Sequence, residues 1–167
     1  MRHSAVNDVI KRALASANIP SLLEPKSLCR DDCKRPDGLT ILPWTNGCCM
    51  VWDLTRPDTL ATSILNHTVL APGAVANDAE SRKSAKYQSL TAMYSFTPIA
   101  IETLGALGEE ATAFFRELGQ RIVAATNEPR SCQYLMQRLS VTVQRGNAAC
   151  ILGTVPKSFG LDEIFYF

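Results

Sequence analysis

Histidine is scarce in this chain, long apolar runs are missing, and neither sign of charge prevails. The whole sequence of 167 residues holds two imidazoles, His3 near its start and His67 in a loop-like stretch. No G-x-S-x-G elbow exists to pair with either, which sets aside a serine or cysteine hydrolase. No stretch approaches the roughly 20 apolar residues needed to cross a bilayer, so no membrane is expected. The N-terminus is charged and amphipathic rather than a long apolar run, so the chain is expected to be nuclear or cytoplasmic, not secreted. The six cysteines, Cys29, Cys33, Cys48, Cys49, Cys132 and Cys150, are then expected as reduced thiols. Cys29-x-x-x-Cys33 has the spacing of half a zinc site, but adjacent Cys48-Cys49 makes a poor second half. There is no internal repeat, low-complexity tract, phosphate-binding glycine loop or dinucleotide fingerprint.

Seventeen basic and sixteen acidic groups leave a net charge of +1, so bulk charge does not draw the chain to nucleic acid. Such a partner would have to be met by a local patch. Lys34-Arg35 and Arg82-Lys83-Lys86 are the compact clusters, although such runs also serve as solvated faces.

What is present suits one compact domain over residues 1–167, with 46% hydrophobic and 20% charged residues. Val6, Val9, Ile10, Ala13, Leu14 and Ala17 carry a helical stripe, with Ser4 as its expected N-cap. Leu22 to Leu28 is expected as a strand which Pro25 confines to an edge or a bulge. Two apolar runs, Leu39 to Trp44 and Cys49 to Trp52, flank Thr45-Asn46-Gly47 and predict a β-hairpin. A loop is expected from Ser63 to Asn77, a helix over Ala74 to Met93, and a strand over Ser95 to Leu104. Because that strand is reached through a helix, it should lie parallel to its neighbour. Two helices follow, Gly108 to Thr126 and about Ser131 to Cys150, the second capped by Ser131. The tail from Gly153 ends Ile164-Phe165-Tyr166-Phe167 and is apolar enough to dock on the body or on a partner. The fold class is thus α/β: a small mixed sheet flanked by helices, in the order helix, three strands, helix, strand, two helices.

The chemistry concentrates at the hairpin. Asp37 enters its first strand and Asp53 nears the end of its second, sixteen residues on, so antiparallel pairing brings them side by side. Two such carboxylates repel unless a cation or proton sits between them. Alternatively, Asp37 caps the turn after Pro36 and Asp53 sits on a solvated strand end. Asp8, Glu24 and Glu102 are further acids within possible reach.

Arg35-Pro36-Asp37-Gly38, Trp52-Asp53-x-Thr55, Ser81-Arg82-Lys83 with Lys86-Tyr87, and Ile101-Glu102-Thr103-Leu104-Gly105 occur in this order. Together they resemble the restriction-enzyme-like endonuclease domain at the C-terminal end of reverse-transcriptase polyproteins of non-long-terminal-repeat retroelements. That domain is a branch of the PD-(D/E)xK nucleases. The resemblance spans nearly the whole chain, from Arg2-His3 onward. It implies Mg²⁺ (or Mn²⁺) held by Asp37, Asp53 and the backbone carbonyl of Leu54, with DNA as substrate. It also implies a reverse transcriptase as partner in a parent polyprotein.

In the familiar pattern a lysine lies two residues after the second acid, where this chain has Thr55. The resemblance implies that Lys86 or Lys83, from the following helix, supplies that cation instead. Lys34, Arg35 and Arg82 would meet neighbouring phosphates. Arg56-Pro57-Asp58 repeats the tripeptide but follows a strand, so it is expected to be a decoy. Thr55, Cys33 and Arg56-Pro57 depart from the family's pattern, and no polymerase or zinc knuckle precedes the first helix of this sequence. These features keep open a second reading, in which the fold survives as a non-catalytic remnant or interaction module.

Overall fold

The structure, a computed structural model, describes residues 2–28, 35–59, 61 and 71–154. The expectations placed on Cys29, Cys33, Lys34 and His67, and on the tail from residue 155, lie outside the described residues. Among those described, the chain runs α1 (Arg2–Ser16), β1 (Ser21–Leu23), β2 (Gly38–Thr45), β3 (Cys48–Thr55), α2 (Ala74–Lys86), β4 (Ser95–Ala100), α3 (Glu109–Thr126) and α4 (Ser131–Leu152). It is a mixed α/β architecture: a four-stranded mixed sheet with four helices. No described helix is long and apolar enough to cross a membrane.

The sheet order is β1-β2-β3-β4. Strands β2 and β3 form the expected hairpin, closed by Asn46 and Gly47 at φ 49° and 74°, the left-handed pair that a two-residue turn requires. Strand β4 lies parallel to β3 over six consecutive pairs, from Met50 opposite Ser95 to Thr55 opposite Ala100. The helical crossover α2 accounts for that direction. Strand β1 is an edge among the described strands and covers only Ser21–Leu23 instead of the expected Leu22 to Leu28: Glu24 turns to φ 48°, Pro25 has no N–H for a ladder, and a 3-10 turn takes Lys26–Leu28.

Alternation along β3 sends its residues to two different layers. Met50, Trp52 and Leu54 join Ile99 and Ile101 in the main core, beneath α1, α3 and α4. Val51 and Asp53 face the other way, toward α2, where Tyr87 stacks on Phe96 with ring centroids 4.8 Å apart. Among the described residues, the acid at 53 therefore lies on the sheet face that α2 covers.

Several boundaries differ from the sequence expectation. Helix α1 starts at Arg2, so Ser4 is inside its first turn rather than at its cap. His3, Asn7, Ile10 and Leu14 share one helical face, and packing of that face carries the helix back past Ser4. Helix α2 begins at Ala74 as expected but ends at Lys86 instead of Met93. Buried Tyr87 is its C-cap, and a 3-10 turn follows over Gln88–Ala92. Strand β4 ends at Ala100, not Leu104, because the chain folds back on itself. Glu102 N–H bonds Ala106 O at 2.8 Å, and Gly105 takes φ 103°. The cap of α4 is Arg130, and Ser131 is its first helical residue. Strand β3 stops at Thr55, just before Arg56-Pro57.

Gly38, at the join of the acid motif and β2, has a packing role. A Cβ there would come within 2.0 Å of the Trp52 ring, and Trp52 is fully buried. The ring cannot swing away from a closed core, so Gly38→Ala is an overpacking substitution. It should destabilise the protein by about 2 kcal/mol, seen as a lower urea midpoint at unchanged m-value.

Candidate active site

Asp37 and Asp53 border one peptide unit, Asp37 through its carboxylate and Asp53 through the backbone. The backbone of Asp37 extends the hairpin ladder, its N–H bonding Trp52 O at 3.0 Å. Its carboxylate then turns along the sheet beyond the end of β2, and Oδ2 accepts the Leu54 N–H at 2.6 Å. Asp53, on the other side of that same peptide, presents its carboxylate to α2. Both residues flank the Asp53–Leu54 peptide, and the Asp37 charge is among the influences that push the Asp53 pKa upward.

Asp53 is 4% exposed. Burial, the largest influence, raises its carboxyl above the usual range, and Lys83 pulls it back down. The Lys83 ammonium contacts Asp53 Oδ2 directly, and the Tyr87 hydroxyl reaches Oδ1 at 3.4 Å. Of the two lysines raised by the sequence, Lys83 touches the acid. Lys86 adds attractive charge to Asp53 while its ammonium lies 5.2 Å from the centre of the Tyr87 ring. One helical turn separates the two lysines, and the rotation of α2 on the sheet decides between them.

The Leu54 carbonyl, expected as an ion ligand, points beyond the end of β2 together with its own N–H. There it meets a residue that sequence reasoning left unused. His3 Nε2 lies 3.1 Å from Leu54 O and 3.1 Å from Asp37 Oδ2. The hydrogen bond to Asp37 is the largest cause of a raised His3 pKa. Behind it, Asn7 Nδ2 stands 3.3 Å from His3 Nδ1, and Trp52 Nε1–H donates to Asn7 Oδ1 at 3.0 Å. The sequence did carry a sign of this. Asn7 is a polar residue on the core face of α1, beside Val6, and four positions from His3.

The other residues singled out take different places. Arg35 pairs with Glu24, and both side chains are substantially exposed, so the pair is a weak tether. Arg82 is exposed on α2. Glu102 is buried and does not join the two aspartates. Its Oε1 accepts the Ala76 N–H in the first turn of α2, at 3.3 Å, where a helix end favours negative charge. Asp8 lines a groove between α1 and α4, away from the pair. In the decoy tripeptide, Arg56 bonds Asn147 on α4 at 3.2 Å. Cys48, Cys49, Cys132 and Cys150 are free thiols.

Among the described residues, no three His, Cys, Asp or Glu side chains group as a metal site. An ion held here would therefore rely on two carboxylates, the Leu54 carbonyl and water. That is an all-oxygen set suited to a hard divalent cation. No protein-family model matches the chain, and no curated protein matches it at a significant level.

Proposed function

We propose that this chain is a divalent-ion-dependent DNA endonuclease domain of the restriction-enzyme-like, retroelement-associated kind. The observation that carries the proposal is the Asp37 carboxylate on the Leu54 N–H, one residue along from buried Asp53, whose own carboxylate meets a lysine ammonium. Three further features support it: the succession of helix, hairpin strands, crossover helix and parallel strand, the motif order along the sequence, and an oxygen donor set that fits Mg²⁺ or Mn²⁺.

When bound, such an ion polarises a scissile phosphate and lowers the pKa of a water. Asp37, Asp53 and the Leu54 carbonyl would hold it. Lys83, 24% exposed at its side chain, sits on the rim of the buried acid. With Asp53 engaged as a ligand, this ammonium would be free to turn to the phosphate, where it would orient the substrate and offset charge on the phosphoryl oxygens. Arg82 on the same helix, with Lys34 and Arg35 ahead of β2, would meet flanking phosphates. In a parent polyprotein the domain would act inside the cell beside a reverse transcriptase.

One specific observation favours a second reading, the non-catalytic remnant. Each acid already has a protein donor, Lys83 on Asp53 and His3 on Asp37, so the pair is comfortable without an ion. Two measurements separate the readings. Supercoiled plasmid should be nicked in Mg²⁺ or Mn²⁺ and left intact in EDTA. The same ions should also raise the melting temperature, with about 2.7 kcal/mol of added stability at a hundredfold excess over Kd. Neither nicking nor stabilisation is the result that selects the remnant.

A further inference from the structure

The Trp52–Asn7–His3 chain fixes where the proton sits on His3. An indole N–H can only donate, so the atom of Asn7 facing Trp52 Nε1 at 3.0 Å has to be the amide oxygen. The amide NH₂ therefore faces His3 Nδ1 at 3.3 Å, and Nδ1 has to accept. In a neutral imidazole the proton then resides on Nε2, the atom that lies 3.1 Å from both Asp37 Oδ2 and Leu54 O. Trp52 is fully buried and Asn7 5% exposed, so water does not easily replace either partner in the relay.

The same two oxygens are the ones offered to an ion on the β2 side of the site. An ion bound about 2.1 Å from Leu54 O and an Asp37 oxygen would confront the positive end of the Nε2–H bond. A ligating nitrogen needs a free lone pair, and Nε2 has none in this tautomer.

We propose that His3 is a gatekeeper of the ion seat rather than one of its ligands. Its Nε2–H, set by Trp52 through Asn7, holds Asp37 and the Leu54 carbonyl together until a divalent cation displaces the ring. The inference rests on the ion-seat reading above and goes beyond it by assigning the competitor. His3 keeps two oxygen ligands ordered and mutually unrepelled in the ion-free protein, at the expense of ion affinity.

The full chain holds two histidines, which makes the test direct. In ¹⁵N-labelled protein at pH 8, long-range proton–nitrogen spectra should show His3 as the Nε2–H tautomer. Saturating Mg²⁺ should shift those nitrogen signals as the ring leaves. At the same pH, Mg²⁺ titrated calorimetrically should bind His3→Ala about five- to tenfold tighter than wild type. His3→Gln, which can still donate to both oxygens, should stay near wild type. An Nδ1–H tautomer, or affinity unchanged or weakened in His3→Ala, overturns the gatekeeper. Weakened binding would make His3 a ligand. Failure of both wild type and His3→Ala to bind Mg²⁺ overturns the ion seat as well, so the two failures are distinguishable.

Discussion

On the proposed nuclease reading, Lys83→Met should lower ion-dependent nicking by about two to three orders of magnitude, while Lys86→Met should change it only severalfold. The first figure is what loss of one preorganised positive donor typically costs a reaction that builds negative charge on oxygen. The contrast comes from geometry. Both lysines belong to α2, but Lys83 reaches Asp53 Oδ2 and Lys86 lies against the Tyr87 ring. Methionine keeps most of the length and the apolar stem, so packing under α2 is largely retained. The effect should appear in kcat at saturating ion and DNA. Asp53→Asn should fall to the EDTA background, because it removes a proposed ion ligand and leaves Lys83 facing a neutral amide. Equal losses in the two lysine variants would show that α2 supplies only general positive charge, and the assignment of Lys83 would fail.

The choice between those lysines shows what was legible in the sequence. A spacing of three puts Lys83 and Lys86 on one helical face, but only the docking of that face on β3 says which one overhangs Asp53. The hairpin was readable because Asn46-Gly47 and the flanking apolar runs are local signals. The parallel β4 was readable because a crossover helix leaves little choice of direction. Asp37 and Asp53 come level only because the register shifts twice, between Leu39 and Pro43 and between Pro43 and Thr45; a regular ladder from the Thr45–Cys48 pair would set Asp37 opposite Arg56, and no local signal announces those shifts. His3 escaped because its partners are remote. Its bond to Leu54 O spans 51 positions, and the Trp52 bond to Asn7 spans 45. An alignment of α1 with the end of β3 exists only after the main core has assembled.

The same reason hid Glu80, whose loss should be the most damaging change to stability. Within α2 it reads as an ordinary helical charge, yet it is 3% exposed. Its Oε1 accepts the N–H of Ala111 at 2.9 Å and of Ala100 at 3.2 Å, and its Oε2 that of Glu110 at 3.0 Å. One carboxylate thus caps the first turn of α3 and ties it to the end of β4, and a Cβ at Gly108 would collide with it at 2.3 Å. Glu80→Ala leaves three amides to find new partners or none, and should cost roughly 4 kcal/mol, a large share of a typical domain's stability. Glu80→Gln keeps one acceptor oxygen but turns an NH₂ toward a donor, and should cost about 1 kcal/mol.

Acid-to-neutral titration of stability supplies a second check on the same residue. Burial, the largest influence, raises the Glu80 pKa, and the three amides only partly offset it. The folded protein therefore keeps the Glu80 proton to higher pH than the unfolded chain does. The stability it contributes is complete below the unfolded pKa and is lost as pH rises through the folded one. Denaturant unfolding of wild type and Glu80→Gln across that interval should show the wild-type advantage shrinking as pH rises. An advantage that grows with pH would mean that the three N–H donors outweigh desolvation, and that the buried carboxylate is held as an anion.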